Sequence, residues 1–419
     1  MKKNVRKFFK SLGPGFITGA SDDDPSGIAT YSQTGAQFGF KQLWVALFTF
    51  PFMVVIQEMC GRIGLVTGRG LASVIRKYYS KKVLYFTITL LLIANTINIG
   101  ADLGAMAAAL ELLIPIPFTI LLLGVTAFTL ILEIFVSYHV YVRILKYFAL
   151  SLLAYVVTVF LIKIDWESVA YHTFVPHLTF QKEYVLNIVA LLGTTISPYL
   201  FFWQANEEVE EEIEEGKLKT SGRGVPKITN LDIKNMRRDT WVGMLFSNLI
   251  TFFIIITAAV TLGAQGIANI ETATDAAQAL RPFGMAAFFL FTIGIVGTGL
   301  LTVPVLAGSA SYAVSEAFKW KTGLYRKFSQ AHGFYGVITI ATIVGLLVNF
   351  TRIPPFKMLY YTAIVNGILA VPLLIVILRI ANNKKIMGER VNSRASNVLG
   401  WIITGVMMFA GGALFYSIF

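Results

Sequence analysis

The chain has 419 residues, of which 56% are hydrophobic and 14% charged, with a mean hydropathy of +0.68. That balance excludes a soluble enzyme of two or three domains and indicates one polytopic membrane protein. The net charge of +12 is what Lys- and Arg-rich cytoplasmic loops produce, so a lipid bilayer is the expected partner and nucleic acid is not.

No cleavable signal peptide is expected, because Met1 to Lys10 is basic but the apolar stretch after it runs straight into Asp22. Apolar runs of about 20 residues predict eleven spans, at residues 12–37, 43–66, 84–113, 117–136, 143–164, 184–206, 240–263, 283–308, 334–350, 356–379 and 397–418. The first and the sixth read as broken.

Span 1 carries Asp22, Asp23, Asp24, Pro25, Ser26 and Gly27 in an otherwise apolar, small-residue stretch. Proline has no N–H and drives the preceding residue out of helix, so a break is predicted over Asp24 to Gly27. An intramembrane aspartate marks an ion or substrate path, and an unwound Ser26–Gly27 backbone would turn its carbonyls toward a cation. Asp22 and Asp23 have two readings, ordering water around an ion or capping the helix after the break.

On span 2, Glu58 and Arg62 stand at i, i+4 and read as an ion pair. Cys60 is the single cysteine, which excludes an internal disulfide and a multi-thiolate metal site. Asp102 on span 3 serves either a pathway or a structural hydrogen bond. Span 6 repeats the anomaly of span 1 in Gly193, Thr194, Thr195, Ile196, Ser197, Pro198 and Tyr199, with Ser197 pushed out of helix. Tyr199 is either an oxygen donor or packing.

The run from Glu207 to Glu215 reads first as a solvated helical extension and second as a collector of cations near an exit. Residues 216–235 read as an inner loop, and 166–182 and 264–282 as outer loops. On span 10, Asn366 is a pocket ligand or an interhelical hydrogen-bonding residue. The four histidines, His139, His172, His177 and His332, have no metal-site spacing.

Two interrupted spans, each opening a set of five, point to an inverted repeat with its site at the bilayer midplane between them. One transmembrane domain over 1–419 is expected, with repeats of about 12–164 and 184–380 and an added helix at 397–418. With the N-terminus inside, all but six of the 35 Lys and Arg residues fall on inner segments. Lys41, Lys163, Lys182, Arg281, Arg352 and Lys357 remain outside, which sets the N-terminus in the cytoplasm and the C-terminus outside. No His-Glu-x-x-His is present and the acids share one segment, so no enzyme is expected. A sodium-coupled amino-acid carrier is also disfavoured, because such a site receives a carboxylate at a helix N-terminus free of adjacent acids.

Gly13-Pro14-Gly15-Phe16 with Asp24 to Thr30 and Gln33-Thr34-Gly35-Ala36, Ile56-Gln57 with Gly61-Arg62, Ala101-Asp102-Leu103, and Leu306 to Ser309 with Glu316 together resemble the natural resistance-associated macrophage protein (NRAMP) family of divalent metal transporters. The resemblance implies an all-α LeuT-type fold: two inverted five-helix repeats, an eleventh helix, and discontinuous helices 1 and 6. It also implies a multi-pass protein of a prokaryotic plasma membrane, with no cofactor and no obligatory protein partner.

The chain departs from the family's pattern in ways that change the chemistry. Gly27 stands where the first-helix motif ends in asparagine, Ser197 where the sixth helix has methionine, Thr194 for alanine and Tyr199 for histidine. Ala105 replaces a second acid, and Phe334 to Phe350 lacks the family's basic residues. This combination is similar to the NRAMP-related magnesium transporter branch.

Without the thioether, the implied ligands are oxygen only: Asp24, Thr194, Ser197 and carbonyls around Gly27 and Thr194, with Asp23, Tyr199 and Asn366 as further candidates. Such a set suits a hard dication that keeps part of its water, Mg2+ with Mn2+ beside it. With Tyr199 and Ala105 in place of titratable groups, no proton relay is evident, which favours uncoupled import by alternating access. The alternative is a proton-coupled Mn2+ or Fe2+ symporter of the same family.

Overall fold

The structure, a computed structural model, describes residues 13–136, 150–222, 224–284, 286–351 and 353–418. Residues 143–149 of predicted span 5, with Arg143 and Lys146, and His139 before the span lie outside the described residues. So do Lys2, Lys3, Arg6, Lys7, Lys10, Arg223 and Arg352.

The apolar runs become helices close to where the sequence predicts them. The first span is two helices, α1 (Pro14–Asp22) and α2 (Pro25–Phe38). Then come α3 (Trp44–Thr67), a short amphipathic α4 (Leu71–Tyr78), α5 (Lys81–Glu111), α6 (Phe118–Phe135) and α7 (Leu153–Leu161). The predicted outer loop at 166–182 carries α8 (Trp166–Phe174), started by Asp165, whose carboxylate accepts from the Glu167 and Ser168 amides. The sixth span is again two helices, α9 (Lys182–Thr195) and α10 (Pro198–Glu214).

Helix α11 (Asn230–Thr261) starts ten residues before the predicted span, so the inner loop ends at Thr229 rather than Asn235. A reciprocal capping box between Thr229 and Asp232 fixes that start. The chain closes with α12 (Ala273–Ala277), α13 (Ala286–Phe318), α14 (His332–Val348), α15 (Pro355–Ala381), α16 (Lys384–Met387) and α17 (Arg394–Ile418). Eight of the described helical segments are long and apolar enough to cross a membrane, the sixth span counting as one.

Backbones come close where both partners are small, since nothing but packing and hydrogen bonds holds helices together in lipid. Gly15 and Gly19 of α1 lie on Thr240 and Gly243 of α11, Gly35 of α2 on Ile255 and Ala258 of α11, and Gly193 of α9 on Gly367 of α15. The broken helices are thereby held against the two unbroken helices α11 and α15.

The predicted ion pair on span 2 is present and wider than i, i+4. Arg62 Nε donates to Glu58 Oε1 at 2.8 Å, Arg62 Nη2 to Asn392 Oδ1 at 2.5 Å, and Arg237 Nε to Glu58 at 2.8 Å. This knot, buried at Glu58, Arg62 and Asn392 and exposed at Arg237, joins α3, α11 and the segment before α17.

Candidate functional site

The first break is shorter than the sequence implies, while the second leaves Ile196 and Ser197 outside helix, as the sequence predicts for Ser197. Helix α1 ends at Asp22, Asp23 takes a non-helical conformation, and α2 resumes at Pro25, so Ser26 and Gly27 are helical and the predicted unwinding over Asp24 to Gly27 is corrected to Asp23–Asp24. The reason is that proline is well placed as the first residue of a helix when the residue before it can cap. Asp24 does this, and capping therefore belongs to Asp24 and not to Asp22 or Asp23.

The Asp24 carboxylate is nearly used up by the protein. Oδ1 accepts from the Gly27 amide at 2.6 Å and from Ser26 Oγ at 2.7 Å, and Oδ2 accepts from Asn98 Nδ2 at 3.0 Å. An ionised carboxylate has about four acceptor positions, so one remains, on Oδ2. Asp24 can therefore give one oxygen to a cation and no more.

Gly27, having no side chain, leaves a narrow gap between α2 and α9. A Cβ there would lie 3.2 Å from Thr194 Oγ1 and 3.3 Å from the Asp22 carbonyl. Thr194 Oγ1 is buried and has no hydrogen-bond partner among the described residues. The structure thus brings Asp24, Gly27 and Thr194 together, with the Gly27 carbonyl committed to helix and the Asp22 carbonyl next to the gap.

Ser197 is placed differently. Its Oγ donates to the Gly193 carbonyl at 3.0 Å and the Thr194 carbonyl at 2.7 Å, so it closes the end of α9 and engages one of the carbonyls expected to be free. Tyr199 donates from its hydroxyl to the Ser21 carbonyl at 2.8 Å, tying α10 to the last turn of α1. Asp22 Oδ2 accepts from Ser247 Oγ of α11 at 2.7 Å, with Asp23 Oδ1 3.3 Å from the same hydroxyl. Asn366 is buried on α15 beside Gly367, and its Nδ2 has no partner among the described residues.

Asp102 is buried on α5, with neither carboxylate oxygen hydrogen-bonded among the described residues and Asp24 within electrostatic reach. This removes the structural hydrogen-bond reading of Asp102. Asn98 and Ser247 are the two partners that sequence reasoning missed. Asn98 had a signal, since Asn95, Asn98 and Asp102 fall at i, i+3 and i+7 on one face of α5; Ser247 sits among apolar residues with none.

Among the described residues no three His, Cys, Asp or Glu side chains converge as a metal cluster. Asp24, Thr194, Ser197 and Tyr199 are each 1% exposed, Asn366 is 2% and Asp23 is 0%. In this conformation the site is sealed from both faces, and a ligand reaches it only if helices move.

The acidic run at the end of α10 is not the solvated extension that its charge implies. Glu207, Glu208, Glu210 and Glu212 are buried, because α10 continues between α3 and α13 past the end of its apolar sequence. Glu210 accepts from Tyr312 Oη at 2.6 Å and from the Leu324 and Tyr325 amides. Glu208, Glu211, Glu212 and Glu215 join Asp232 and Asp239 around a cavity of about 410 Å³ beside Gly13 and Pro14. Lys217, also there, bonds Glu215 at 2.5 Å and Asp232 at 2.8 Å; burial alone would lower its pKa, but these carboxylates hold it above the usual lysine range.

Two interrupted helices meeting at a buried acid, braced by unbroken helices, define a polytopic membrane protein of LeuT-type architecture. A manganese transporter of Eremococcus coleocola superposes with a TM-score of 0.73 at 16% identity, over 96% of this chain and 86% of that one. Mhp1, a nucleobase-cation-symport-1 family transporter, gives 0.61 at 14% identity, over 97% and 92%.

The chain belongs to the Nramp family, described as natural resistance-associated macrophage protein-like, matched over residues 15–417. A divalent metal cation transporter MntH of Caldanaerobacter subterraneus subsp. tengcongensis is 26% identical, over 98% of this chain and 94% of its own length. The MntH of Deinococcus radiodurans is 25% identical, over 99% and 92%.

Proposed function

We propose that the protein carries a divalent metal ion across the membrane, Mg2+ in preference and Mn2+ with it, by uncoupled alternating access through the gap between α1–α2 and α9–α10. The metal class has the support of relatives named as divalent metal cation transporters and a solved neighbour named as a manganese transporter. The observation that carries the preference is the donor set around Gly27: one free acceptor position on Asp24, the unpartnered Thr194 hydroxyl and the Asp22 carbonyl, all oxygen. Mg2+ is usually held by one or two carboxylates with several waters kept, and a gap offering few direct protein ligands fits that habit.

The residues take separate parts in this scheme. Asp24 and Thr194 touch the ion, Asp23 and Asp22 lower its energy from the first turn away, and Tyr199 and Ser197 hold the broken ends in register. Asn366, after rotation of its amide, offers a further oxygen from α15. We place the N-terminus in the cytoplasm of a prokaryotic cell, so that the acidic cavity at the foot of α1 and α10 collects the released ion. The inverted repeats of about 12–164 and 184–380 supply the two halves that rock against each other.

One observation favours the proton-coupled alternative. Asp102, with both oxygens unpartnered among the described residues and Asp24 nearby, is a carboxyl able to carry a proton through the transport cycle. Reconstituted vesicles separate the two readings: Mg2+ and Mn2+ entry is followed with lumenal pH, for the wild type, Asp24→Asn and Asp102→Asn. Metal entry lost in Asp24→Asn with lumenal pH unchanged in the wild type supports the proposal. Proton influx stoichiometric with Mn2+, abolished by Asp102→Asn, and no Mg2+ flux would overturn it.

A further inference from the structure

A second cavity, of about 390 Å³, lies between α4, residues 220–222 and the segment after α13, and it is basic where the first is acidic. Five cations line it: Arg69, Arg76, Lys319, Lys321 and Arg326. Glu316 is the one acid on its wall, and it is already engaged. Glu316 Oε1 accepts from the Gly70 amide at 3.0 Å and Oε2 from the Ser73 amide at 2.9 Å, where it caps the start of α4. Hydroxyl groups of Ser73, Thr220, Ser221 and Thr322 complete the lining.

Clustered like charges repel, and a cavity enclosed on several sides screens them less than open water does. Arg76 registers this. Burial pulls its pKa below the usual guanidinium range, Glu316 pulls it back up, and Arg69 pushes it further down.

The backbone adds an independent sign. Lys319 has φ of 61°, the single non-glycine residue in the left-handed region among those described. It follows the last residue of α13, with the Trp320 amide returning to the Ser315 carbonyl at 2.8 Å, a terminator in which glycine is the usual occupant. Glycine would relax the turn, yet a lysine stands there, exposed and on the cavity wall. Phe318, stacked on Trp320 at 5.4 Å, is exposed as Trp320 and Tyr85 are. Such aromatic belts mark the depth at which lipid phosphates lie.

We propose that this cavity binds a phosphate-bearing anion, either the headgroup of an anionic lipid or a polyphosphate from solution, which bridges α4 to the segment after α13. Charge-assisted bonds from Lys319, Arg326 and Arg69 would hold the phosphate, and the hydroxyls would accept or donate around it. No atom of the buried site between α1–α2 and α9–α10 takes part.

The full-length protein in uncharged detergent and metal-free buffer is titrated with inorganic pyrophosphate by calorimetry. In parallel its melting temperature is read in phosphatidylcholine nanodiscs with and without phosphatidylglycerol. Pyrophosphate binding, a rise of several degrees with phosphatidylglycerol, or both supports the proposal, and the arm that responds identifies the source. Arg326→Gln and Lys319→Gly are each expected to weaken the response about tenfold or more, while Lys357→Gln, outside the cavity, leaves it unchanged. Lys319→Gly should at the same time raise the melting temperature of the unliganded protein, an opposite movement that general damage would not produce. No response in either arm, or a response that survives both variants, would overturn it.

Discussion

Asp24 does two jobs with one carboxylate, and the two are separable by mutation. As a cap it accepts the Gly27 amide and Ser26 hydroxyl on Oδ1, which an asparagine oxygen also does; as a ligand it needs the charge. With the Asn98 amide turned so that its unpartnered oxygen accepts from the new NH2, Asp24→Asn is expected to leave the melting temperature within a few degrees and to abolish metal binding measured by calorimetry. Asp24→Ala should abolish binding and also destabilise, by about 1 kcal/mol for the lost cap and a further ~1–3 kcal/mol for the stranded Asn98 amide. Equal melting temperatures for the two variants would contradict the double role. Ser197 permits the converse experiment. Ser197→Met places a soft thioether where a hydroxyl now holds the Thr194 carbonyl. The variant should bind Cd2+ and Mn2+ more tightly, and Mg2+ more weakly, than the wild type; an unchanged order of affinities would remove Ser197 from the site. Asp24 was legible because an acid is costly in an apolar run and a proline directly after it interrupts the helix, so the two together mark a polar break. The burial of Glu207, Glu208, Glu210 and Glu212 was not, because a run of charge says nothing about which neighbours pack around it.

At the scale of the helix, the question is why Pro25 and Pro198 break their spans when Pro51, Pro304 and Pro372 lie inside continuous helices. The residue in front decides. Asp24 and Ser197 have short polar side chains that can satisfy backbone groups exposed by a break, whereas Phe50, Val303 and Val371 have none. In a membrane an unsatisfied backbone group costs several kcal/mol, so a proline without a capping neighbour kinks and a proline with one breaks. This rule can be read from sequence, and the existence of both breaks was. The length of the first was not, since it depends on cap geometry that no spacing encodes. Helix α1 also has its start fixed from another element: Asp239 of α11 accepts from the amides of Gly13 at 3.0 Å, Gly15 at 2.7 Å and Phe16 at 3.2 Å. With Gly15 and Gly19 against Thr240 and Gly243, α1 and α11 should move as one body. Gly19→Ala puts a methyl onto the Gly243 backbone and is expected to cost about 1–3 kcal/mol and most of the transport. Gly124→Ala on exposed α6 meets nothing within 4 Å and should be neutral or stabilise by up to about 1 kcal/mol. Thermal unfolding of both variants in detergent checks the contrast, and similar losses in the two would remove the packing argument.

For the molecule as a whole, the sealed site sets what must move, and the charge of its cargo sets what can drive it. A dication crossing 100 mV gains roughly 4.6 kcal/mol, which corresponds to a concentration ratio above a thousandfold at about 1.4 kcal/mol per decade. No second gradient is needed for import. If transport is uncoupled, the flux reverses where the voltage balances the ion gradient alone, so the reversal potential should move about 30 mV for each tenfold change in dication gradient, the value for two charges. It should not move with a pH gradient. Coupling to one proton would spread the same gradients over three charges, bringing the dication slope down to about 20 mV and adding a dependence on pH. Proteoliposomes clamped with potassium and valinomycin, at several Mg2+ gradients and two pH gradients, measure both slopes at once. A pH-dependent reversal potential would transfer the role of Asp102 from electrostatic neighbour to proton acceptor, and with it the energy source of the whole cycle.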